Sequence, residues 1–103
     1  MIKTFNAYDG HDRRKKRPLQ RYRFMTADEA RELKWGDVVT WRYSEDEVLR
    51  ARVAGKPKTW KTRPGDVDVT LKYGLNTYFH ARFRGGTPVG TPLVVLIPEG
   101  GES

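Results

Sequence analysis

Cysteine is absent from the 103 residues, which removes disulfides, thiolate metal sites and cysteine nucleophiles at one stroke. Histidine is scarce, with only His11 and His80. Long hydrophobic runs are missing as well. The longest is Leu93 to Ile97, far short of the ~20 apolar residues of a membrane-spanning helix. The opening Met1-Ile2-Lys3-Thr4-Phe5-Asn6 turns polar within three residues, so no signal peptide is expected. Hydrophobic residues amount to 37%, enough for the modest core of one domain of this length. These absences together predict a cytoplasmic chain with no membrane contact.

What the chain has in excess is positive charge. Twenty Lys and Arg stand against 13 Asp and Glu, for a formal net charge of +7. The excess is local. Residues 1–24 carry a net +6, residues 25–49 a net −4, residues 50–64 a net +6 and residues 65–103 a net −1. Two basic segments on either side of an acidic one imply a directed surface rather than a diffuse polycation.

The first segment reads as an arm. Lys3 to Tyr8 is predicted to pair as a short strand anchored by Phe5, and Asp9-Gly10 marks a turn. Arg13-Arg14-Lys15-Lys16-Arg17 then sets five cations in a row, which repel one another and offer nothing to a core. Thr26-Ala27-Asp28-Glu29 carries a capping-box signature and opens a short helix of about two turns, stopped at Trp35-Gly36-Asp37. From Asp37 the period becomes two. Val39, Trp41 and Tyr43 share a face, as do Leu49, Ala51 and Val53, then Val67, Val69, Leu71 and Tyr73, then Phe79, Ala81 and Phe83. Pro64-Gly65-Asp66 is predicted as a turn, Gly85 to Pro92 as a loop, and Leu93 to Ile97 as a buried last strand.

Short strands with frequent turns and one short helix predict a mainly β fold, a small barrel or sandwich. The phrase Leu33-Lys34-Trp35-Gly36-Asp37-Val38-Val39 resembles the start of the first strand of SH3-like barrels. The expectation is therefore an SH3-like barrel of about five short strands, with an OB fold as the alternative. The domain is expected over residues 25–98, beginning with one short N-terminal helix and preceded by a partly extended or disordered basic N-terminal arm at 1–24. A disordered tail is expected at 99–103. A second likeness lies in Lys58-Thr59-Trp60-Lys61-Thr62-Arg63-Pro64 followed by Val69-Thr70-Leu71-Lys72-Tyr73-Gly74-Leu75. This pairing of motifs resembles a stretch in small phage- and prophage-encoded proteins of uncharacterised function. The resemblance implies a phage or mobile-element origin and a bacterial host cytoplasm, and it carries no catalytic residues with it.

Catalytic signals are lacking. His80 has no carboxylate close in sequence to orient it as a base, and two separated histidines without cysteine give no metal-ligand spacing. Glu45-Asp46-Glu47 reads as a solvated turn, and Gly85-Gly86 is followed by neither a Lys-Ser/Thr pair nor a helix, so it is no phosphate loop. No enzyme, metal or cofactor is expected. The basic segments are the informative features. Arg50, Arg52, Lys58, Lys61 and Arg63 surround Trp60, pairing phosphate-neutralising cations with an indole on which a base can stack. Lys72, Tyr78, His80, Arg82 and Arg84 extend a polar-aromatic face opposite the expected core.

The sequence thus predicts a non-catalytic module that binds DNA or RNA through phosphate contacts. Arg13, Arg14, Lys15, Lys16 and Arg17 supply affinity, and Arg50, Arg52, Lys58, Trp60, Lys61 and Arg63 form the ordered surface. The alternative is a protein-binding module that engages a host bacterial factor, with its exposed aromatics as anchors. A virion or assembly component is a third reading.

Overall fold

The computed structural model describes residues 4–11 and 18–97. Nine strands and one short helix follow in the order β1 (Thr4–Asp9), β2 (Leu19–Phe24), α1 (Ala27–Arg31), β3 (Val38–Ser44), β4 (Glu47–Val53), β5 (Lys58–Trp60), β6 (Arg63–Tyr73), β7 (Thr77–Arg84), β8 (Thr87–Gly90) and β9 (Leu93–Leu96). The fold is mainly β, as expected, and has nine strands among the described residues where about five were expected.

Five strands close into a barrel in the order β1-β2-β9-β3-β4, sealed by a parallel pairing of Tyr8 with Glu47 and Asp9 with Val48. Each of the five sends a side chain into its interior. Ala7, Tyr22, Val48 and Val94 are buried there, with Phe5 and Phe24 packed against them. From β3 comes Arg42, whose guanidinium lies 4.3 Å from the Phe5 ring centroid and donates to the Glu45 carbonyl at 2.8 Å. A cation fits inside so small a barrel because an aromatic face and a carbonyl replace part of its water.

The segment expected as an arm therefore contributes two of the barrel strands, so no domain boundary falls at residue 25. Phe5 stacks on Tyr22 and Phe24 at 5.9 and 5.4 Å. The cationic run at 13–17 and the tail at 99–103 lie outside the described residues. In the chain, that run joins β1 to β2.

The second half of the chain builds a sheet onto the barrel. Strand β4 pairs with β1 at its beginning and with β6 at its end, through Arg52↔Lys72 and Val53↔Leu71. Strands β7 and β8 continue from β6, and β5 pairs with the first half of β6. The main core forms between this sheet and the outer face of the barrel. It contains Val39, Ala51, Val53 and Leu93 from the barrel, with Val67, Val69, Leu71, Ala81 and Phe83 from β6 and β7. All but Leu93, expected inside as part of an unbroken apolar run, are side chains that the period-two reading put on one face; Tyr43, expected on the face of Val39, is exposed at the end of β3 instead.

Helix α1 closes the top of this core with Ala27 and Ala30. It has only five residues, less than the two turns expected and far below the ~12–15 of a free-standing helix. A capping box holds it: the Glu29 N–H donates to Thr26 Oγ1 at 3.1 Å, and the Thr26 N–H donates to Glu29 Oε1 at 2.9 Å. Arg23 of β2 adds two bonds to the same carboxylate, at 2.9 and 2.7 Å.

Two expected loops are strands instead. Gly85 and Gly86, with φ of 60° and 86°, make the two-residue turn of a β7–β8 hairpin, a turn that needs positive φ at both positions. Pro88 is tolerated because β8 is an edge strand. Pro64-Gly65-Asp66 lies within β6, where Pro64 sits near the register shift at Thr59/Trp60. Gly65 meets the hairpin turn directly. The Gly86 N–H donates to the Gly65 carbonyl at 2.8 Å, and the Gly85 N–H to Asp66 Oδ1 at 2.9 Å.

Candidate nucleic-acid interface

Strand alternation carries one row of side chains across four strands. Val38 of β3 faces Arg52 of β4, Arg52 faces Lys72 of β6, and Lys72 faces Tyr78 of β7. Register partners lie on the same face, and this face is the continuation of the barrel interior beyond its open end. Val38 and Tyr78, at the two ends of the row, are 56% and 59% exposed. The Lys72 ammonium lies 5.6 Å from the Tyr78 ring centroid.

Beside this row opens a cavity of ≈ 560 Å³ lined by Val38, Arg50, Ala51, Arg52, Lys72 and Gly74. Three of its lining side chains are cations and none is an acid. Arg50 lies 3.5 Å from Asp9, and Arg52 donates to the Gly36 carbonyl at 3.1 Å. Among the described residues, no carboxylate pairs with Arg52 or Lys72. Like charges directly opposite each other destabilise a sheet, so this pair is a local cost.

Further along the same face, Asp68 accepts from Arg82 Nε at 3.2 Å and lies 3.0 Å from His80 Nδ1. Burial pushes the Asp68 carboxyl up, yet the bonds and charges of His80 and Arg82 outweigh it, and the net shift is downward. The acid on this face is thus held ionised and partnered by a neighbouring cation. Thr70 lies between, paired with His80.

The residues expected as one ordered surface form two groups. Arg50 and Arg52 line the cavity, where Lys72 and Tyr78 join them. Trp60, Lys61 and Arg63 lie at the opposite end of β6, nine residues from Lys72, or roughly 30 Å of strand. The Arg63 guanidinium sits 5.0 Å from the Trp60 ring centroid, so one face of the indole already carries the chain's own cation. Lys58 is opposite Asp68, between the groups. Arg13, Arg14, Lys15, Lys16 and Arg17 lie outside the described residues. The chain leading into them is fixed, because the Gly10 N–H donates to the Val48 carbonyl at 2.8 Å and His11 packs on Tyr73 at 5.9 Å. That stem stands on the rim that holds Arg50.

Trp35 was not among the expected site residues; the sequence reading used it to end a helix and as part of the phrase likened to SH3-like barrels. It is 77% exposed, and Lys34 and Lys56 share its surroundings. The turn that carries it is pinned by the Gly36 N–H to the Val53 carbonyl at 2.8 Å and by the Lys34 N–H to Asp37 Oδ2 at 2.9 Å. The available signal was the company of Lys34 and Gly36: an indole at a glycine turn beside a cation has few apolar neighbours to cover it.

Among the described residues, no three His, Asp or Glu side chains gather as a metal would require, and no helix is long and apolar enough to cross a membrane. No protein-family model matches the chain, and neither a curated protein nor a solved structure matches it significantly.

Proposed function

We propose that this protein is a non-catalytic nucleic-acid-binding module, and that the cavity face of Arg50, Arg52, Lys72 and Tyr78 is its ordered contact surface. The observation that carries this reading is the Arg52–Lys72 pair: two cations held opposite each other beside an acid-free cavity, with an exposed ring next in the row. Phosphates relieve such a repulsion and release counterions as they do so. The cations Arg13 to Arg17, which fall between β1 and β2 in the sequence, add affinity. We read the five-stranded ring as an SH3-like barrel elaborated by β5 to β8, on the strength of the Leu33–Val39 phrase. The likeness to phage-encoded stretches supports a phage origin and a bacterial host cytoplasm.

The test is a titration of labelled single- and double-stranded DNA and RNA with the full chain at two salt concentrations. If about six phosphates are neutralised, the log–log salt slope on duplex DNA is near −5. Absence of binding at low salt contradicts the reading.

A second reading, a module that engages a host bacterial factor, is favoured by a separate aromatic group. Trp41 contacts Tyr43, Tyr73 and Phe79 with centroids at 5.6, 6.0 and 4.9 Å. Tyr43 is 60% exposed, which suits an interface anchor. Capture of one defined bacterial protein, lost on Tyr43→Ala and kept on Lys72→Gln, supports this reading over the first.

A further inference from the structure

The row Val38–Arg52–Lys72–Tyr78 also says which form of nucleic acid fits. We propose that it is a nucleotide subsite for a single strand, with a backbone phosphate held between Arg52 and Lys72 and the adjoining base stacked on Tyr78. This inference rests on the nucleic-acid reading and narrows it to one polymer form.

The spacing is the first argument. Neighbouring strands lie ~4.8 Å apart, so a cation and a ring in adjacent register positions are within one nucleotide's reach of each other. Lys72 and Tyr78 are such a pair, 5.6 Å from ammonium to ring centroid. A phosphate on Lys72 leaves its own base free to lie on Tyr78. In a duplex the base faces are covered by their stacking neighbours, so the same ring has nothing to meet. Of the two polymer forms, the open strand alone offers both groups to this row.

The donors give the second argument. Arg52 commits one guanidinium nitrogen to the Gly36 carbonyl, which orients the fork and leaves its other N–H groups for an anion. Arg50 has Asp9 close by at 3.5 Å, so the least compensated charge of the cavity belongs to Arg52 and Lys72. The third argument is the ring itself. Trp60 and Tyr78 each have one cation over one ring face, Arg63 at 5.0 Å and Lys72 at 5.6 Å; Phe79 belongs to the core side of β7, and Trp60 lies at the far end of β6, whereas Tyr78 is 59% exposed and sits at the end of the cationic row. The contacts proposed for this row are to phosphate and base alone, so single-stranded DNA and RNA are both ligands.

The experiment measures the affinity of the full chain for labelled oligo(dT), oligo(U) and a DNA duplex of the same length. It compares wild type with Tyr78→Leu, Tyr78→Phe, the double variant Arg52→Gln/Lys72→Gln, and Lys61→Gln/Arg63→Gln at the far end of β6. Thermal melts confirm that each variant is folded. Tyr78→Leu is expected to weaken single-strand binding about tenfold, the loss of one stacked base, and to leave duplex binding unchanged. Tyr78→Phe retains wild-type affinity. Arg52→Gln/Lys72→Gln lowers the single-strand salt slope by about one unit, and the far-end pair does not.

If wild type binds the polymers but Tyr78→Leu changes single strand and duplex alike, or neither, the subsite is overturned and the broader reading stands. Binding of inorganic phosphate that depends on Arg52 and Lys72, with no effect of Tyr78→Leu on any polymer, makes the cavity a free-anion site and equally overturns it. If wild type binds no polymer, both readings fall.

Discussion

Arg52 and Lys72 stand directly opposite each other where β4 passes its edge from the barrel to β6, and no described carboxylate lies between them. Across a sheet such a pair costs roughly 0.2–1 kcal/mol. A pair kept for binding rather than folding is dispensable for stability. Lys72→Gln is therefore expected to leave the unfolding free energy within about 0.5 kcal/mol of wild type, or to raise it, while weakening nucleic-acid binding. Urea unfolding checks this. A loss of several kcal/mol would assign Lys72 a structural role instead.

Removing residues 1–24 is expected to unfold the protein, because it takes away β1 and β2 and opens the ring that the Tyr8↔Glu47 and Tyr22↔Leu96 pairings close. Replacing Arg13 to Arg17 with serines, by contrast, should leave the fold intact and flatten the salt dependence of binding. Circular dichroism separates the two cases. A folded, cooperative protein without its first 24 residues would show that these strands are appended to the domain rather than part of it.

The helix has an acid-sensitive clamp. Hydrogen bonds from Arg23, the largest influence, bring the Glu29 carboxyl from 4.5 down to about 2, against an opposing push from burial. A carboxylate whose pKa is depressed by folding stabilises the fold above its unfolded pKa. That contribution is complete above about pH 4.5 and fades as the pH falls towards about 2. Arg23→Gln is expected to return the carboxyl towards its ordinary value and to move acid unfolding to higher pH. An NMR titration of Glu29 reads the first effect, and an unchanged Glu29 pKa in the variant would refute the clamp.

Gly65 bears on the join between β6 and the β7–β8 hairpin. A Cβ there would come 2.7 Å from the Gly86 nitrogen and 2.8 Å from Gly85 backbone atoms, and backbone cannot move aside cheaply. Gly65→Ala should cost roughly 1–3 kcal/mol. A neutral substitution, measured by thermal or urea unfolding, would mean that the hairpin turn does not sit on Gly65.

The strand faces were legible because alternation reports burial directly: Val67, Val69 and Leu71 occupy alternate positions and are all fully buried. The capping box at Thr26 and Glu29 was legible for a similar reason, since it is local. Ring closure was not, because it depends on Tyr8 and Asp9 meeting Glu47 and Val48 across nearly forty residues of chain. Nor was β8, whose Pro88 and Gly90 read as loop until the hairpin turn gives them an edge to occupy.

The candidate site divides in the same way. Arg50 and Arg52 share a face by simple alternation, and Lys72 and Tyr78 were placed on the solvent side by the same rule. Bringing them into one row required the β4–β6 register, which nothing local encodes. Trp60 shows the converse: its cationic neighbours in sequence suggested an open stacking plate, and one of them, Arg63, lies over one face of it, roughly 30 Å of strand from Lys72.

The most direct measurement is the affinity of the full chain for a labelled single strand, wild type against Arg52→Gln/Lys72→Gln, at low and at physiological salt. The account predicts salt-sensitive binding by wild type, with the variant folded, several-fold weaker and less salt-dependent. Equal affinity and equal salt slope for the two proteins would contradict it.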